Sequence, residues 1–470
     1  MDWDERAEAS HYAESLLWSG RFNDARGSPM ANWVSTFRDN RPLEVIGDYC
    51  GSFNWCCRVR FDDGLQWMVR FAVPGRVMNG DEKVCHEVAT MRFVKKKTNI
   101  PIPAIIAWGR SHENPLGLGP FIIMEFIEGV PLNTVLQQGP GEEEAHTLRF
   151  DISNKELETI YRQIASFLLE LSAHDFPRIG SLSVAEDTDT SNVVDSRPLT
   201  LKINEIESHG GVRVGGPVSQ TFSSATSYFD YVSEQDMQHL LNQPNSVDDM
   251  EDAYRKFLYN RMFKAILPSW VDSKHDRGPF KLVCDDFRFS NILVNNAQDL
   301  KIIAVLDWEW AYAAPFQMLY SPPRWLLLKK PFDWDDVDAS RYCELLKVFV
   351  SVLEEEEHRR GRCPSSPSMG SLMQRSMEDG TFWFHELMYS CFESPDSTAW
   401  ANIRRFIPSL DSCMPTLPAE VQAFVNSKLE QLEQYNVEWA AMKEEIDKKE
   451  AEFQALRARV EKDFGQKLNS

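Results

Sequence analysis

A chain of 470 residues with 43% hydrophobic content holds enough apolar material for two or three packed units. Its formal net charge of −21 excludes general nucleic-acid binding, which needs a basic surface, and is compatible with a cationic small substrate. Nine cysteines without a CxxC pair speak for reduced thiols. The opening MDWDERAEAS lacks an apolar signal region, and no run approaches the roughly 18 apolar residues of a membrane span, so a soluble cytoplasmic protein without membrane contact is expected.

The first forty residues mix short helical patterns with polar turns, an N-terminal helical extension over residues 1–40. Residues 41–127 have a different texture. Asn54–Phe61 and Gln66–Val73 alternate in strand fashion across Asp63-Gly64, a hairpin signal. Cys56 and Cys57 fall on opposite faces of that strand. Val84, Val88, Met91 and Val94 share one helical face, NIPIPAIIAWG reads as extended, and Gly119–Ile127 reads as a buried strand. Hairpin, helix, strand and strand predict a small, mostly antiparallel lobe.

Residues 128–417 are mainly helical, with helices at Asn154–Ala173 and around Asp252–Leu267, and again after Pro315. Ser181–Gly216 reads as excursion loops and Gly361–Ser371 as a further loop. Residues 418–470 predict one long amphipathic helix, with Val425, Leu432, Trp439, Ile446, Phe453 and Val460 at every seventh position. The second core position is irregular (Lys428, Tyr435, Met442, Lys449, Leu456, Asp463), which favours packing along the same chain over self-association.

Two short acidic segments carry the chemistry. CDDFRFSNILVN spans Cys284–Asn295, and DWEW follows at Asp307–Trp310. Transfer of a γ-phosphoryl group needs a hydroxyl aimed in line, a magnesium ion bridging the phosphates and a cover over them. An Asp can take the hydroxyl proton, an Asn further along can offer a carbonyl oxygen to the metal, and a later Asp can bridge it. Asp286, Asn291 and Asp307 have that order. The apolar runs Ile292–Val294 and Ile302–Leu306 predict a small hairpin that brings both metal ligands to one rim. Taken alone, D-x-x-x-x-N is a weak signal; the preceding lobe, with Gly47, Gly51, Ser52 and Asn54 and then Glu87, gives it context.

CDDFRFSNILV…KIIAVLDWEWAYAAP resembles the HGDxxxxNIL…VIDWE pattern of the aminoglycoside phosphotransferase family, which includes choline kinases, in its fungal style. The match runs from roughly Val45 to Leu328. The resemblance implies an α+β, protein-kinase-like two-lobed fold with ATP and Mg²⁺ as cofactors. It implies phosphoryl transfer to a hydroxylated small molecule by a kinase. Carried over by position, Asp286 is the catalytic base, with Arg288 beside it as a group that neutralises phosphoryl charge or else pairs with Asp285. Asn291 and Asp307 hold the metal, and Glu309 assists from behind. Gly47, Gly51, Ser52 and Asn54 approach the phosphates. Arg70 stands where kinases place a Lys and is oriented by Glu87. The adenine lies against Met124–Ile127, with Glu125 and Ile127 among the contacting residues.

The chain departs from the pattern at Cys284 in place of His, at Asp285 in place of Gly and at Arg70. These departures keep open a pseudokinase that binds nucleotide or a partner without turnover. A protein kinase fits poorly, because no Ala-Pro-Glu motif follows DWE.

Overall fold

The computed structural model describes residues 3–139, 147–183, 193–361, 367–391, 394–407 and 418–464. Asp4 starts the first helix by accepting the amides of Arg6 and Ala7, giving α1 (Glu5–Ala25), which is followed by α2 (Ser28–Ser35). Strands β1 (Leu43–Cys50), β2 (Asn54–Phe61) and β3 (Gln66–Ala72) then run antiparallel. Gly64 closes the β2–β3 turn at φ +88°, a conformation that costs glycine nothing. After α3 (Gly80–Lys97), strands β4 (Ile105–Gly109) and β5 (Phe121–Glu125) complete a five-stranded sheet in the order β1-β2-β3-β5-β4.

Strand alternation gives this sheet two apolar faces, and each one is covered. Cys57, Val59, Val69, Phe71 and Ile123 pack against Trp18 and Phe22 of α1 and Met30 and Val34 of α2. On the other face Ile122 and Met124 meet Val84 and Val88 of α3. Burial of each large side chain contributes roughly 1.5–3 kcal/mol, so the N-terminal helices form part of this lobe's core. The Trp18 indole fixes the seat of α1 by donating to the Leu118 carbonyl at 2.9 Å.

The second lobe begins with β6 (Val130–Pro131), α4 (Leu132–Leu136) and α5 (Asn154–Ser172), the last started by a Ser153–Glu156 capping box. The region expected to be loops holds structure: β7 (Ser181–Leu182) pairs with β8 (Val194–Ser196), and α6 (Leu201–His209) follows, capped by Thr200. Residues 184–192 of that region lie outside the described ones. Next come α7 (Ala225–Asn242), α8 (Met250–Trp270), β9 (Lys281–Cys284), β10 (Ile292–Val294), β11 (Ile302–Val305) and β12 (Ala311–Ala314). Helices α9 (Phe316–Leu319), α10 (Asp336–Arg359), α11 (Met369–Glu378), α12 (Thr381–Tyr389) and α13 (Thr398–Phe406) complete the lobe. Of the loop expected at Gly361–Ser371, residues 362–366 lie outside the described ones and the last three open α11. The core runs between α5 and α10, where Tyr161 meets Phe349 edge-on at 5.3 Å.

The tail is one helix, α14 (Pro418–Phe464). Its Val421, Phe424 and Val425 pack on α8, with the rings of Phe257 and Phe424 stacked at 4.5 Å. The irregular heptad positions anchor it: Lys428 donates to the Gln243 carbonyl at 2.6 Å, and the Tyr435 hydroxyl accepts the Glu5 amide at 3.0 Å. Val437 and Ile446, further along, are exposed. The side chains of Phe453 and Val460 lie outside the description. No helix among the described residues is long and apolar enough to cross a membrane.

Candidate active site

The two acidic segments are fastened together on both flanks. In the β10–β11 hairpin Ile292 faces Val305, and the Leu306 amide donates to the Asn291 carbonyl at 2.7 Å. In the β9–β12 pair Cys284 faces Ala311, and the Asp285 amide donates to the Trp310 carbonyl at 3.1 Å. Asn291 and Asp307 therefore share one rim with Asp286. Asp307 leaves its strand at φ +54°, a left-handed conformation that Asp tolerates better than most residues. The Cys284 thiol donates to the Asp307 carbonyl at 3.7 Å, and burial pushes its pKa well up, which removes it as a nucleophile.

The Asn291 amide nitrogen donates to the Asp286 carbonyl at 2.9 Å and to its carboxylate at 3.0 Å. Its amide oxygen is thus the end that can face a cation. Of the two roles expected of Arg288, the pairing with Asp285 is corrected: its Nε lies 3.0 Å from the Asp286 carboxylate. The alternative partner, Asp285, points elsewhere: its carboxylate accepts the Leu201 amide at the start of α6 at 3.2 Å. Burial pushes Asp285 up to about 7, with Arg324 opposing. Burial also raises Asp286, against the pull of Arg288 and Asn291.

Above this rim Arg70 projects from β3. Its guanidinium is ion-paired with Glu87 of α3 and with Asp307 at once, so one side chain joins sheet, helix and acidic motif. The expected Arg70–Glu87 pair is present. Asp307, partly enclosed under Arg70, is raised by that partial loss of water, with the neighbouring carboxylates adding to it and Arg70 opposing. Cys56 faces Arg70 across the β2–β3 ladder, and burial pushes its thiol up to about 12.

The sequence reading missed Lys83. It is fully buried on α3, ion-paired with Glu309, and donates to Asn54 Oδ1 at 2.8 Å. Asn54 in turn donates to Glu309 at 2.7 Å. Burial works against charge on Glu309, but Lys83 and Arg70 outweigh it and hold its pKa down. A lysine four residues before a glutamate on a helix ordinarily reads as a surface ion pair; its real partners are distant in sequence.

The β1–β2 turn sits over the rim. The Gly51 amide donates to the Asn54 carbonyl at 2.9 Å, Ser52 is exposed, and Phe53 meets Trp310 edge-on at 5.4 Å. Gly47 faces Arg58 in register, with nothing within 4 Å of where a Cβ would stand, so the strand offers bare backbone there. At the lobe connection the Glu125 amide donates to the Ala104 carbonyl at 2.9 Å and its carboxylate accepts the Ala104 amide at 3.3 Å. Ile127 is half-buried beside Phe126, whose ring lies 3.8 Å under the Arg58 guanidinium.

Four carboxylates (Glu87, Asp286, Asp307, Glu309) meet three cations (Arg70, Lys83, Arg288) at this junction. That surplus of hard oxygen and negative charge fits a divalent cation. No group of three or more His, Cys, Asp or Glu side chains among the described residues is arranged to hold a metal. A pair of protein ligands suits magnesium, which keeps phosphate and water for its remaining positions.

No family model matches the chain. It is 33% identical over 184 residues to Altered inheritance of mitochondria protein 9, mitochondrial, of Clavispora lusitaniae, a match covering 36% of this chain and 29% of that protein. The protein of the same name from Meyerozyma guilliermondii is 30% identical over 143 residues, 30% of this chain and 21% of that one. A subtelomeric hrmA-associated cluster protein of Aspergillus fumigatus is 27% identical over 150 residues, 30% of this chain and 26% of that one. The chain spans less than a third of the length of these relatives. Their names correct the cytoplasmic expectation, since several of the relatives are mitochondrial by name. An apolar signal region marks secretion only; mitochondrial targeting uses basic amphipathic segments, so that test was blind to it.

Among solved structures, a candidate aminoglycoside phosphotransferase from Ralstonia eutropha aligns with a TM-score of 0.44 at 14% identity, covering 86% of this chain and 96% of that one. A macrolide 2'-phosphotransferase from Brachybacterium faecium aligns at 0.39 and 12% identity, covering 84% and 99%. The fold assignment rests on the chain's own topology: a five-stranded antiparallel sheet with α3 between β3 and β4, an Arg70–Glu87 pair joining them, and two acidic motifs on either side of the β10–β11 hairpin under the β1–β2 turn. The chain has a two-lobed, protein-kinase-like α+β fold.

Proposed function

We propose that this chain transfers the γ-phosphoryl group of ATP, with Mg²⁺, to a hydroxyl of a small molecule. The convergence of Asp286, Asn291 and Asp307 at one rim, under the β1–β2 turn, carries the reading. Bound Mg²⁺·ATP supplies the phosphoryl group and neutralises charge on the phosphates. Asn291 and Asp307 hold the metal, and Glu309 keeps its charge behind them through Lys83. Gly47 and Ser52 face the phosphates, Gly51 and Asn54 close the turn behind them rather than contacting phosphate as expected, and Met124–Ile127, with Glu125 and Ile127, lies along the base. Asp286 accepts the acceptor's hydroxyl proton at its carboxylate; a carboxylate raised by burial is a stronger base than a solvated one. Arg288 and Asn291 fix the orientation of that carboxylate.

One observation favours a second reading, nucleotide binding without turnover. Arg70 already sits on Asp307, so a guanidinium flanks the proposed metal ligand. ADP release across a panel of hydroxylated acceptors separates the two. Turnover that falls about 10²–10⁴-fold in Asp286→Asn supports the phosphotransferase. Undiminished turnover in that variant overturns the base assignment, and Mg²⁺·ATP binding without turnover on any acceptor favours the second reading.

A further inference from the structure

The chemistry above leaves the buried cation Lys83 without a task on the substrate. Lys83 lies on α3 one turn before Glu87 and is fully buried. A buried ammonium persists only where strong partners replace water. Its partners form a closed ring: Lys83 to Asn54 at 2.8 Å, Asn54 to Glu309 at 2.7 Å, and the Lys83–Glu309 ion pair. The three corners come from three separate segments, the end of the β1–β2 turn, α3, and the stretch that carries Asp307. The same contact is widened by Phe53, edge-on to Trp310 at 5.4 Å, and by the Lys83 ammonium 5.8 Å from that indole.

Lys83 is itself held in place from the second lobe. Arg197 forks onto Glu82 at 2.9 and 2.8 Å, and Asn79 at the start of α3 donates to Glu207 of α6 at 2.9 Å. The cation is therefore presented from a helix fixed at its N-terminal end, and the turn reaches the ring through buried Asn54 while its Gly51 and Ser52 are exposed.

We propose that Lys83 is a positioning residue which, through Asn54 and Glu309, ties the β1–β2 turn to the Asp307 segment and holds the turn closed before nucleotide arrives. The nucleotide half of this statement rests on the function proposed above; the tie does not. An ordinary structural ion pair would stabilise the lobes without governing the turn.

The test is amide hydrogen exchange over residues 50–55 in nucleotide-free protein, with nucleotide affinity measured alongside. Asn54→Ala cuts the turn from the ring and leaves the Lys83–Glu309 pair intact. Lys83→Met/Glu309→Leu removes both charges together, so neither is left buried alone. The turn amides exchange at least about tenfold faster in both variants, while the β2–β3 ladder keeps its protection. The affinity of Asn54→Ala, which keeps the Lys83–Glu309 charges, for Mg²⁺·ATP falls about tenfold, because only the closed fraction binds. Wild-type exchange at the turn in both folded variants overturns the proposal. Faster exchange in the variants of a protein that in its wild-type form binds no Mg²⁺·ATP upholds the tie and overturns the nucleotide reading.

Discussion

Arg70→Met removes the cation shared by Glu87 and Asp307. Glu87 is fully buried, and neither of its carboxylate oxygens has a hydrogen bond, so its charge depends on the ion pair with Arg70. Asp307 is better placed to survive the loss, with about a third of its side chain open to solvent (32%). Breaking a buried pair from one side costs about 3–5 kcal/mol, whereas replacing both members by apolar residues of similar size is often close to neutral. Arg70→Met should therefore lower stability by about 3–5 kcal/mol and the melting temperature by about 3–5 °C. Arg70→Met/Glu87→Leu should recover more than half of that loss, the remainder reflecting Asp307. Circular dichroism during heating and urea unfolding read both quantities. A single variant melting within about 1 °C of wild type, or a double variant no more stable than the single, would refute the claim that Arg70 carries the charge of Glu87.

Three further outcomes follow from particular contacts. Gly75 has φ +81°, and a Cβ there would lie 2.1 Å from the His11 carbonyl oxygen on α1, so Gly75→Ala should cost about 3 kcal/mol; an unchanged melting temperature contradicts it. Asp285 is raised from 3.8 to about 7 in the folded protein, so between those values the folded chain keeps a proton that the unfolded chain has lost, and stability falls as pH rises through that interval. The advantage of Asp285→Asn over wild type in thermal unfolding should accordingly grow between pH 4 and pH 7 and level off above it; a pH-independent difference contradicts the burial argument. Phe424→Ala opens the stack with Phe257 and should cost about 3–5 kcal/mol, exposing α14 to limited proteolysis at rates wild type does not show.

The first lobe was readable because its signals are local. Asp63-Gly64 names its own turn, and Val84, Val88, Met91 and Val94 name their own helical face. The acidic motifs were readable because spacing alone sets which residues meet at the end of a hairpin. α6 was not: LKINEIESH is short, and its anchors are supplied by the neighbouring Asp285, Arg76 and Met78. Lys83 was hidden for a related reason, since nothing adjacent in the chain distinguishes it from a solvated lysine and its partners Asn54 and Glu309 lie 29 residues before it and far beyond it. For Arg288 only one of the two expected roles, the pairing with Asp285, is overturned, because sequence does not tell which side of a loop each of two adjacent acids will face.

The central claim, that Asn291 and Asp307 present a metal-bound nucleotide to Asp286, is tested most directly by thermal shift with ATP, with and without Mg²⁺, on wild type and Asp307→Ala. Ligand at about 100 times its dissociation constant stabilises a protein by about 2.7 kcal/mol. The account predicts a shift in wild type that needs Mg²⁺ and disappears in folded Asp307→Ala. A folded wild-type protein that shows no shift, or a shift that Asp307→Ala retains in full, would contradict it.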